Sequence, residues 1–175
     1  MKYILRLSPN FEVRKKRNIK YIVIHYTNLP STKISLEYLL NKKNKVSSHY
    51  LVNPQGKIYS LVKEKNIAWH AGISSWKDDK NLNKNSIGIE LQNSGVAGTY
   101  EKFSNMQILI LEKLIKKIQT QHGVLNSNVL GHSDIAPDRK IDPGPKFPWR
   151  RLFNKNIGIM PKLLKPKSTQ NISSK

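Results

Sequence analysis

The sequence predicts a single α/β domain built on a central mixed β-sheet that is flanked by helices. With 175 residues, 38% of them hydrophobic, the chain suits one compact domain that buries roughly 70% of its unfolded surface. Segments typical of strands and of helices are interspersed along it, and they include one hairpin and one long helix. This interspersion favours a mixed sheet with helices packed on it, and it leaves the strand order open.

The first strands are indicated by runs of apolar residues. Residues 21–25, Tyr-Ile-Val-Ile-His, are apolar on both faces, which is typical of a strand in the middle of a sheet. Residues 48–52 and 57–62 read as two further strands. Between them, Pro54 and Gly56 supply the backbone angles of a tight turn, so the pair is predicted to form a hairpin.

A long polar segment separates these strands from the next one. Residues 63–85 are predicted to form a surface loop, of the kind that often carries function. Residues 86–92 then return to a strand, and residues 129–131 form a short one that leads into a proline-rich loop.

Three helices are predicted. A short one spans residues 35–41 with Ser35 as its N-cap, and Pro148 opens another that runs through Leu152. The clearest helix runs from Ser104 to His122. Ser104 and Gln107 suggest a capping box, Gly123 ends the helix, and its apolar stripe consists of Ile108, Leu111, Ile115 and Ile118.

Composition bounds the chemistry before any motif is considered. The chain has no cysteine, which excludes disulfides, a thiolate nucleophile and cysteine-ligated zinc, so any metal must be held by nitrogen and oxygen. Lysine and arginine number 31 against 11 acidic residues, a formal charge of +20 that predicts attraction to polyanions. Nucleic acid, an anionic membrane, an acidic cell-wall polymer and a merely solvated surface all remain compatible with this charge.

Two histidines and one aspartate stand where a scaffold could aim them at one ion. His25 ends the buried strand, His132 follows the short strand 129–131, and Asp142 lies ten residues later in a loop stiffened by proline and glycine. Two imidazoles and a carboxylate leave a fourth position of a tetrahedral zinc open for water, the layout of a catalytic zinc. His122, in the last turn of the long helix, is interpreted as structural because a cation there suits the helix dipole.

Several segments of the chain resemble the type 2 family of bacterial N-acetylmuramoyl-L-alanine amidases, which shares its fold with peptidoglycan recognition proteins and phage T7 lysozyme. The longest match is Gly131 to Pro145, GHSDIAPDRKIDPGP. Shorter matches are Ile24-His25-Tyr26-Thr27, Ser47 to Val52 (SSHYLV), Ala68 to Gly72 (AWHAG) and Ser86 to Leu91 (SIGIEL).

The resemblance implies a recognition-protein-like domain with a zinc cleft at one side and one Zn²⁺ per chain. His25, His132 and Asp142 would bind the zinc, and Glu90 and Lys140 would be the catalytic pair. The expected reaction is hydrolysis of the amide between the lactyl group of N-acetylmuramic acid and L-alanine, in peptidoglycan or in muropeptides.

Three other positions of the motifs bear on the cleft. His70 resembles a residue of the cleft wall and is a candidate substrate-binding residue, whereas His49 faces either the cleft or a hydrogen bond beneath the zinc. Phage lysozymes and recognition proteins of this fold carry a tyrosine where Ser48 stands, so no tyrosine role transfers to this chain.

Two other functions remain as alternatives, namely a module that binds peptidoglycan without cutting it and a basic nucleic-acid-binding domain. The presence of all five site residues argues against the first, and no specific nucleic-acid motif supports the second. The substrate is therefore expected to be peptidoglycan or a muropeptide, bound by a monomer.

The predicted organisation is a basic arm at residues 1–20, an amidase catalytic domain at 21–160 and a disordered basic tail at 161–175. No membrane span and no signal-peptide pattern are found, so the chain is expected to act in the cytoplasm, or in the envelope after leaving by another route. The preference for polymer or anhydro-muropeptide, the third stem residue and the native metal stay open.

Overall fold

The computed structural model describes residues 1–15, 18–95 and 101–159. A six-stranded mixed sheet forms its centre, as the sequence predicts. Across the sheet the strands are ordered β1 (Tyr3–Leu5), β5 (Ile58–Ser60), β4 (Tyr50–Val52), β9 (Ser86–Leu91), β3 (Tyr21–Tyr26) and β10 (Val129–Gly131). The predicted tail at 161–175 lies outside the described residues.

The strands in the middle of the sheet pair in parallel, and one side of the sheet contains an antiparallel pair. β3 pairs in parallel with β9 and with β10, and β9 pairs in parallel with β4. β4 and β5 are antiparallel, so the hairpin predicted around Pro54 and Gly56 is confirmed. Because β3, β9 and β10 run in the same direction, their carboxyl ends meet at one edge of the sheet.

The predicted loop at residues 63–85 contains short elements of regular structure. β6 (Asn66–Ala68) pairs with β2 (Phe11–Val13), and β7 (Ser75–Trp76) pairs with β8 (Asp79–Lys80). A single 3₁₀ turn at Leu82–Asn85 then leads into β9. Strands of two or three residues are too short to show the alternation by which a strand is recognised in a sequence.

Helix α1 (Thr32–Leu40) begins earlier than predicted. Its N-cap is Ser31, whose side chain accepts a hydrogen bond from the backbone N–H of Ile34. Ser35, the predicted cap, is buried inside the helix, where its hydroxyl donates to the Ser31 carbonyl. Both serines suit a cap, and the additional turn satisfies the hydroxyl of the second serine within the helix.

Helix α2 (Asn105–His122) has the predicted bounds and caps. Ser104 accepts from the backbone N–H of Gln107, and Gly123 ends the helix at a φ of +70°. The capping box is not closed, however, because the Gln107 side chain donates instead to the carbonyls of Val52 and Gln92. These two bonds tie the start of the helix to the sheet. Two short helices follow, α3 (His132–Ile135) and α4 (Trp149–Phe153).

Each face of the sheet has its own packing. The stripe of α2 packs against one face, in a core that includes Ile22 and Ile24 of β3 together with Ile87, Ile89 and Leu91 of β9. The opposite face carries the second cluster, with Tyr21 and Val23. Since side chains alternate along a strand, Ser86, Gly88 and Glu90 lie on this second face, as does His25.

The residues predicted as a basic N-terminal arm join the domain over residues 1–15. β1 adds a strand to the edge of the main sheet, and β2 pairs with β6. Arg14 is buried, and its guanidinium donates to the carbonyls of Asn66, Lys84 and Ser86. Arg14 therefore acts as an internal clamp and not as part of an exposed basic surface. Within the described ranges no helix has the length and hydropathy that crossing a membrane requires.

Candidate metal centre and its cleft

Three side chains that are far apart in the sequence converge at the carboxyl edge of the sheet. His25 lies near the end of β3, and His132 follows β10 directly as the first residue of α3. Their Nδ1 atoms are 3.0 Å apart, and Asp142 Oδ2 lies 3.0 Å from the first and 3.1 Å from the second. Among the described residues, these three offer ligand atoms that all lie within 4.8 Å of one another.

The loop that carries Asp142 is held against the first turn of α3. The backbone N–H of Ser133 donates to the Asp142 carbonyl at 2.9 Å, and Gly144 N–H donates to the Ile141 carbonyl at 2.8 Å. The peptide bond between Asp142 and Pro143 is cis. The two hydrogen bonds hold the backbone of the loop at Asp142.

Hydrogen-bond chemistry at His132 indicates that the cluster fits a cation. His132 Nε2 is 3.1 Å from the Ala71 carbonyl, which can only accept, so the ring proton lies on Nε2. A neutral His132 then presents a bare lone pair at Nδ1, and this atom faces the Asp142 carboxylate at 3.1 Å. Two acceptors at that distance repel one another unless a positive charge lies beside them. The nitrogen and oxygen donors are those of catalytic zinc sites, and they also suit cobalt or nickel.

The protonation states of His25 and Asp142 suit metal binding. Burial lowers the pKa of His25 to about 4, so its ring is neutral at pH 7. Burial alone would raise the pKa of Asp142, but the imidazole rings of His132 and His25 in contact with it hold that pKa well below its usual range. Metals bind neutral imidazole and ionised carboxylate, which are the forms present here.

Glu90 lies directly beside this cluster. It pairs with His25 in the register of β9 and β3. Its Oε2 is inaccessible to solvent and has no hydrogen-bond partner. Burial raises the pKa of Glu90 to about 8; the Asp142 carboxylate adds to this rise and Lys140 opposes it. A carboxyl group whose pKa is shifted towards neutrality is suited to exchange protons near pH 7.

The cluster opens into a cleft of about 500 Å³. His25, His132 and Asp142 form part of its lining together with Glu90 and Lys140, so all five residues predicted as ligands or catalysts share one cavity. The rest of the wall is formed by Tyr26, Thr27, Asn28, Leu29, Tyr38, Leu39, Val46, His70, Arg139 and Ile141.

His70 is placed behind His25. The residue is 6% exposed, and its Nδ1 lies 3.0 Å from His25 Nε2 and its Nε2 3.1 Å from the Ser86 hydroxyl. Both ring nitrogens therefore have protein partners, and neither is left to hydrogen-bond a substrate. His70 still lines the cleft, so the predicted substrate contact would have to be made without a hydrogen bond from either ring nitrogen.

The other two histidines have structural partners. His49 is fully buried; Gly88 N–H donates to its Nδ1, and its Nε2 lies 3.2 Å from the Asn66 carbonyl. Burial lowers the pKa of His49 to about 3. His122 Nε2 lies 2.7 Å from the Glu64 carboxylate. Of the two orientations that the sequence left open for His49, the structure has the one inside the protein.

Two residues of the site environment were missed by sequence reasoning. Arg139, inside the longest motif, donates to the carbonyls of Ala71 and Ile73 and so links the loop after β6 to the loop of Lys140 and Asp142. Ser86 hydrogen-bonds His70, which in turn contacts His25. The signal for Ser86 was the alternation of β9, which places it on the same face as Glu90.

Sequence comparison matches the chain to one family of known proteins. The family model described as N-acetylmuramoyl-L-alanine amidase matches residues 15–145. The N-acetylmuramoyl-L-alanine amidase AmiD of Escherichia coli is 45% identical over 157 residues, which are 82% of this chain and 55% of that protein. The 1,6-anhydro-N-acetylmuramyl-L-alanine amidase AmpD of Haemophilus influenzae is 32% identical over 166 residues, 84% of this chain and 88% of that protein.

Solved structures agree with the sequence comparison. The E. coli AmiD complex with anhydro-N-acetylmuramic acid-L-Ala-D-gamma-Glu-L-Lys superposes with a TM-score of 0.76 at 44% identity, covering 85% of this chain and 61% of that one. The likeness confirms the predicted single α/β domain with a central mixed sheet. The chain spans just over half the length of the E. coli relative that it matches in sequence.

Proposed function

The chain belongs to the N-acetylmuramoyl-L-alanine amidase family, and on this basis we propose that it hydrolyses the amide between the lactyl group of N-acetylmuramic acid and L-alanine. The substrate would be peptidoglycan or a muropeptide released from it. One observation carries the proposal: His25, His132 and Asp142 bring three ligand atoms together in the cleft that Glu90 and Lys140 also line.

Zinc is the metal proposed for this site, with His25, His132 and Asp142 as its protein ligands. Bound zinc supplies a Lewis acid that makes water a nucleophile near pH 7 and polarises the carbonyl of a scissile amide. The three residues hold their ligand atoms on three different parts of the chain, so the fold itself preorganises the site.

Glu90 is proposed as the general base and then the general acid. Its carboxylate lines the cleft and its Oε2 has no hydrogen-bond partner in the protein, so Glu90 is free to accept a proton from the attacking water and to pass that proton to the leaving amine of L-alanine. The position of Glu90 opposite His25 keeps the carboxylate at the metal edge of the sheet.

Lys140 is proposed to stabilise the oxyanion of the tetrahedral intermediate. Its backbone N–H donates to the Ala136 carbonyl, which fixes the loop two residues before Asp142. An ammonium group in this cleft would provide positive charge where negative charge develops during amide hydrolysis.

The substrate class is supported by the relatives and by the charge of the chain. The E. coli relative has been crystallised with an anhydro-muramyl tripeptide. Stem peptides carry carboxylates, and the formal charge of +20 would attract them over long range. All five proposed residues come from one chain, which supports activity as a monomer.

The decisive experiment is mass spectrometry of digests of intact sacculi and of purified anhydro-muropeptides, with and without a zinc chelator. We expect free stem peptides that begin with L-alanine, and we expect the chelator to suppress them. Cleavage at another bond, or cleavage that the chelator leaves unchanged, would overturn the proposal. Binding of sacculi without any released peptide would favour the non-catalytic module, and chelator-insensitive binding of DNA would favour the nucleic-acid alternative.

A further inference from the structure

A chain of buried hydrogen bonds leads from the proposed metal site into the protein behind His25. His25 Nε2 contacts His70 Nδ1 at 3.0 Å, and His70 Nε2 contacts the Ser86 hydroxyl at 3.1 Å. The Ser86 hydroxyl in turn donates to the Leu82 carbonyl at 2.5 Å. His25, His70 and Ser86 are all nearly inaccessible to solvent, so water cannot substitute for these partners.

The last acceptor, the Leu82 carbonyl, determines which atom is the donor in each of these hydrogen bonds. The Leu82 carbonyl has no proton to give, so the single proton of the Ser86 hydroxyl must point at it. The Ser86 oxygen then accepts from His70, which places the proton of a neutral His70 on Nε2. His70 Nδ1 is consequently an acceptor, and the proton of His25 lies on Nε2.

The protein is built to hold the His70 ring in this place. A Cβ atom at Gly88 would lie 2.4 Å from Cγ of the His70 ring, so glycine on the second face of β9 makes room for the imidazole. The side chain of Asn83 accepts from the backbone N–H groups of His70 and Ala71 at 3.0 and 2.8 Å. Ring and backbone are therefore both constrained.

We propose that His70 and Ser86 are positioning residues that hold the proton of His25 on Nε2 and so keep Nδ1 free to bind the metal. Ala71 does the same for His132 through its backbone carbonyl, as described above. Two consecutive residues thus set the tautomers of both histidine ligands. The inference rests on the proposed metal site but not on which amide bond is cut.

The first test is made on the unmodified protein. Two-bond ¹⁵N–¹H correlation spectra of the zinc-loaded, ¹⁵N-labelled full chain distinguish the two tautomers of each histidine ring. We expect His25, His70 and His132 each to carry the proton on Nε2. A proton on Nδ1 of His70 would exchange donor and acceptor in its hydrogen bonds with His25 and Ser86, and it would overturn the proposal.

The second test measures zinc affinity by competition with a chromophoric chelator. Ser86→Ala removes the acceptor of His70, and loss of such an outer partner typically weakens metal binding ~10- to 100-fold. Ser35→Ala is the matched control, because Ser35 is equally buried and also donates to a backbone carbonyl, but is not among the residues that line the cleft. Zinc affinity of Ser86→Ala equal to that of Ser35→Ala would contradict the proposal.

The two tests separate this inference from the proposed function. If Ser86→Ala does not fold, the spectra of the unmodified protein still decide the tautomers. If the tautomers and the zinc affinities are as expected while no muropeptide is cut, the positioning roles stand and the proposed reaction fails.

Discussion

Glu90 and His25 are direct partners across the parallel strands β9 and β3, and both side chains lie on the face of the sheet opposite helix α2. The proposed proton carrier and a proposed metal ligand therefore sit side by side on the most regular part of the fold. Strands hold such geometry more tightly than loops do.

Replacement of Glu90 by glutamine should separate catalysis from metal binding. Glu90→Gln keeps the shape of the side chain but removes the proton acceptor, so turnover should fall ~100- to 10,000-fold. Chromatography of released peptides gives the rate, and metal analysis should give an unchanged zinc content. Glu101→Gln alters an exposed carboxylate and should retain full activity. Equal activity of the two variants would remove Glu90 from the mechanism.

Replacement of Asp142 by asparagine should remove most of the stabilisation that zinc provides. Zinc at 1,000 times its dissociation constant should raise the free energy of unfolding of the parent chain by about 4 kcal/mol. Asp142→Asn removes the anionic ligand, so most of this gain should vanish in urea titrations with and without zinc. Asp138→Asn, on the exposed part of the same loop, should behave as the parent does. Undiminished stabilisation of Asp142→Asn would place the metal elsewhere.

Lys140→Met should lower kcat without affecting the metal. The loss of one oxyanion-stabilising group typically costs ~100- to 1,000-fold in kcat, and the same is expected here. Steady-state kinetics on a synthetic muropeptide, with zinc content measured in parallel, tests this expectation. Lys146→Met changes an exposed lysine six residues further along and provides the control. A variant of Lys140 that retains its kcat would assign this residue to the surface.

His49 should make the zinc-free protein sensitive to acid. Its pKa is lowered to about 3 in the folded state, whereas an unfolded histidine titrates near 6.5. Below pH ~6.5, His49 is protonated in the unfolded state but stays neutral in the folded state. The free energy of unfolding therefore falls by about 1.4 kcal/mol for each unit by which the pH is lowered. The loss continues as the pH falls to about 3.

The contribution of His49 can be isolated by comparing the slopes of two proteins. His49→Gln removes the titrating group, so its free energy of unfolding should fall less steeply between pH 6 and pH 4, by about 1.4 kcal/mol per pH unit. Urea unfolding at each pH provides the slopes. Slopes that coincide would mean that His49 titrates normally in the folded state.

Arg14→Ala should destabilise the fold, although Arg14 does not line the cleft. The substitution removes the donor of the Asn66, Lys84 and Ser86 carbonyls, and the loss of charged hydrogen bonds of this kind costs about 3 kcal/mol. For a chain of this size, that loss lowers Tm by roughly 6 to 12 °C. Calorimetry tests this, with the exposed Arg150→Ala as control. Equal Tm values would show that the clamp is dispensable.

Sequence reasoning worked best where a pattern repeats or a motif is long. The apolar runs of β3 and β9 and the stripe of α2 located the core, and the Gly131 to Pro145 motif contains three of the five proposed site residues. These features are local, so each can be recognised without knowing its neighbours in space. The turn between β4 and β5 was predictable for the same reason.

What the sequence could not give depends on contacts between distant segments. Arg14 reads as one of a basic run, and only the folded chain shows three carbonyls around it. His70 reads as a cleft residue because its motif lies next to the site, yet its two ring nitrogens are occupied by His25 and Ser86. Hydrogen-bond partners that are 16 and 45 residues away leave no local signature.

The strict alternation of β9 has a consequence for how this chain can change. A slip of the strand by one position would move Glu90 into the apolar core beneath α2 and turn Ile89 towards the proposed metal site. Insertion or deletion of a single residue within β9 would therefore disrupt both the hydrophobic core and the proposed catalytic site. Substitution of one apolar residue by another on the side of β9 that faces α2 leaves the reacting groups in place. The two sides of this strand can therefore vary independently.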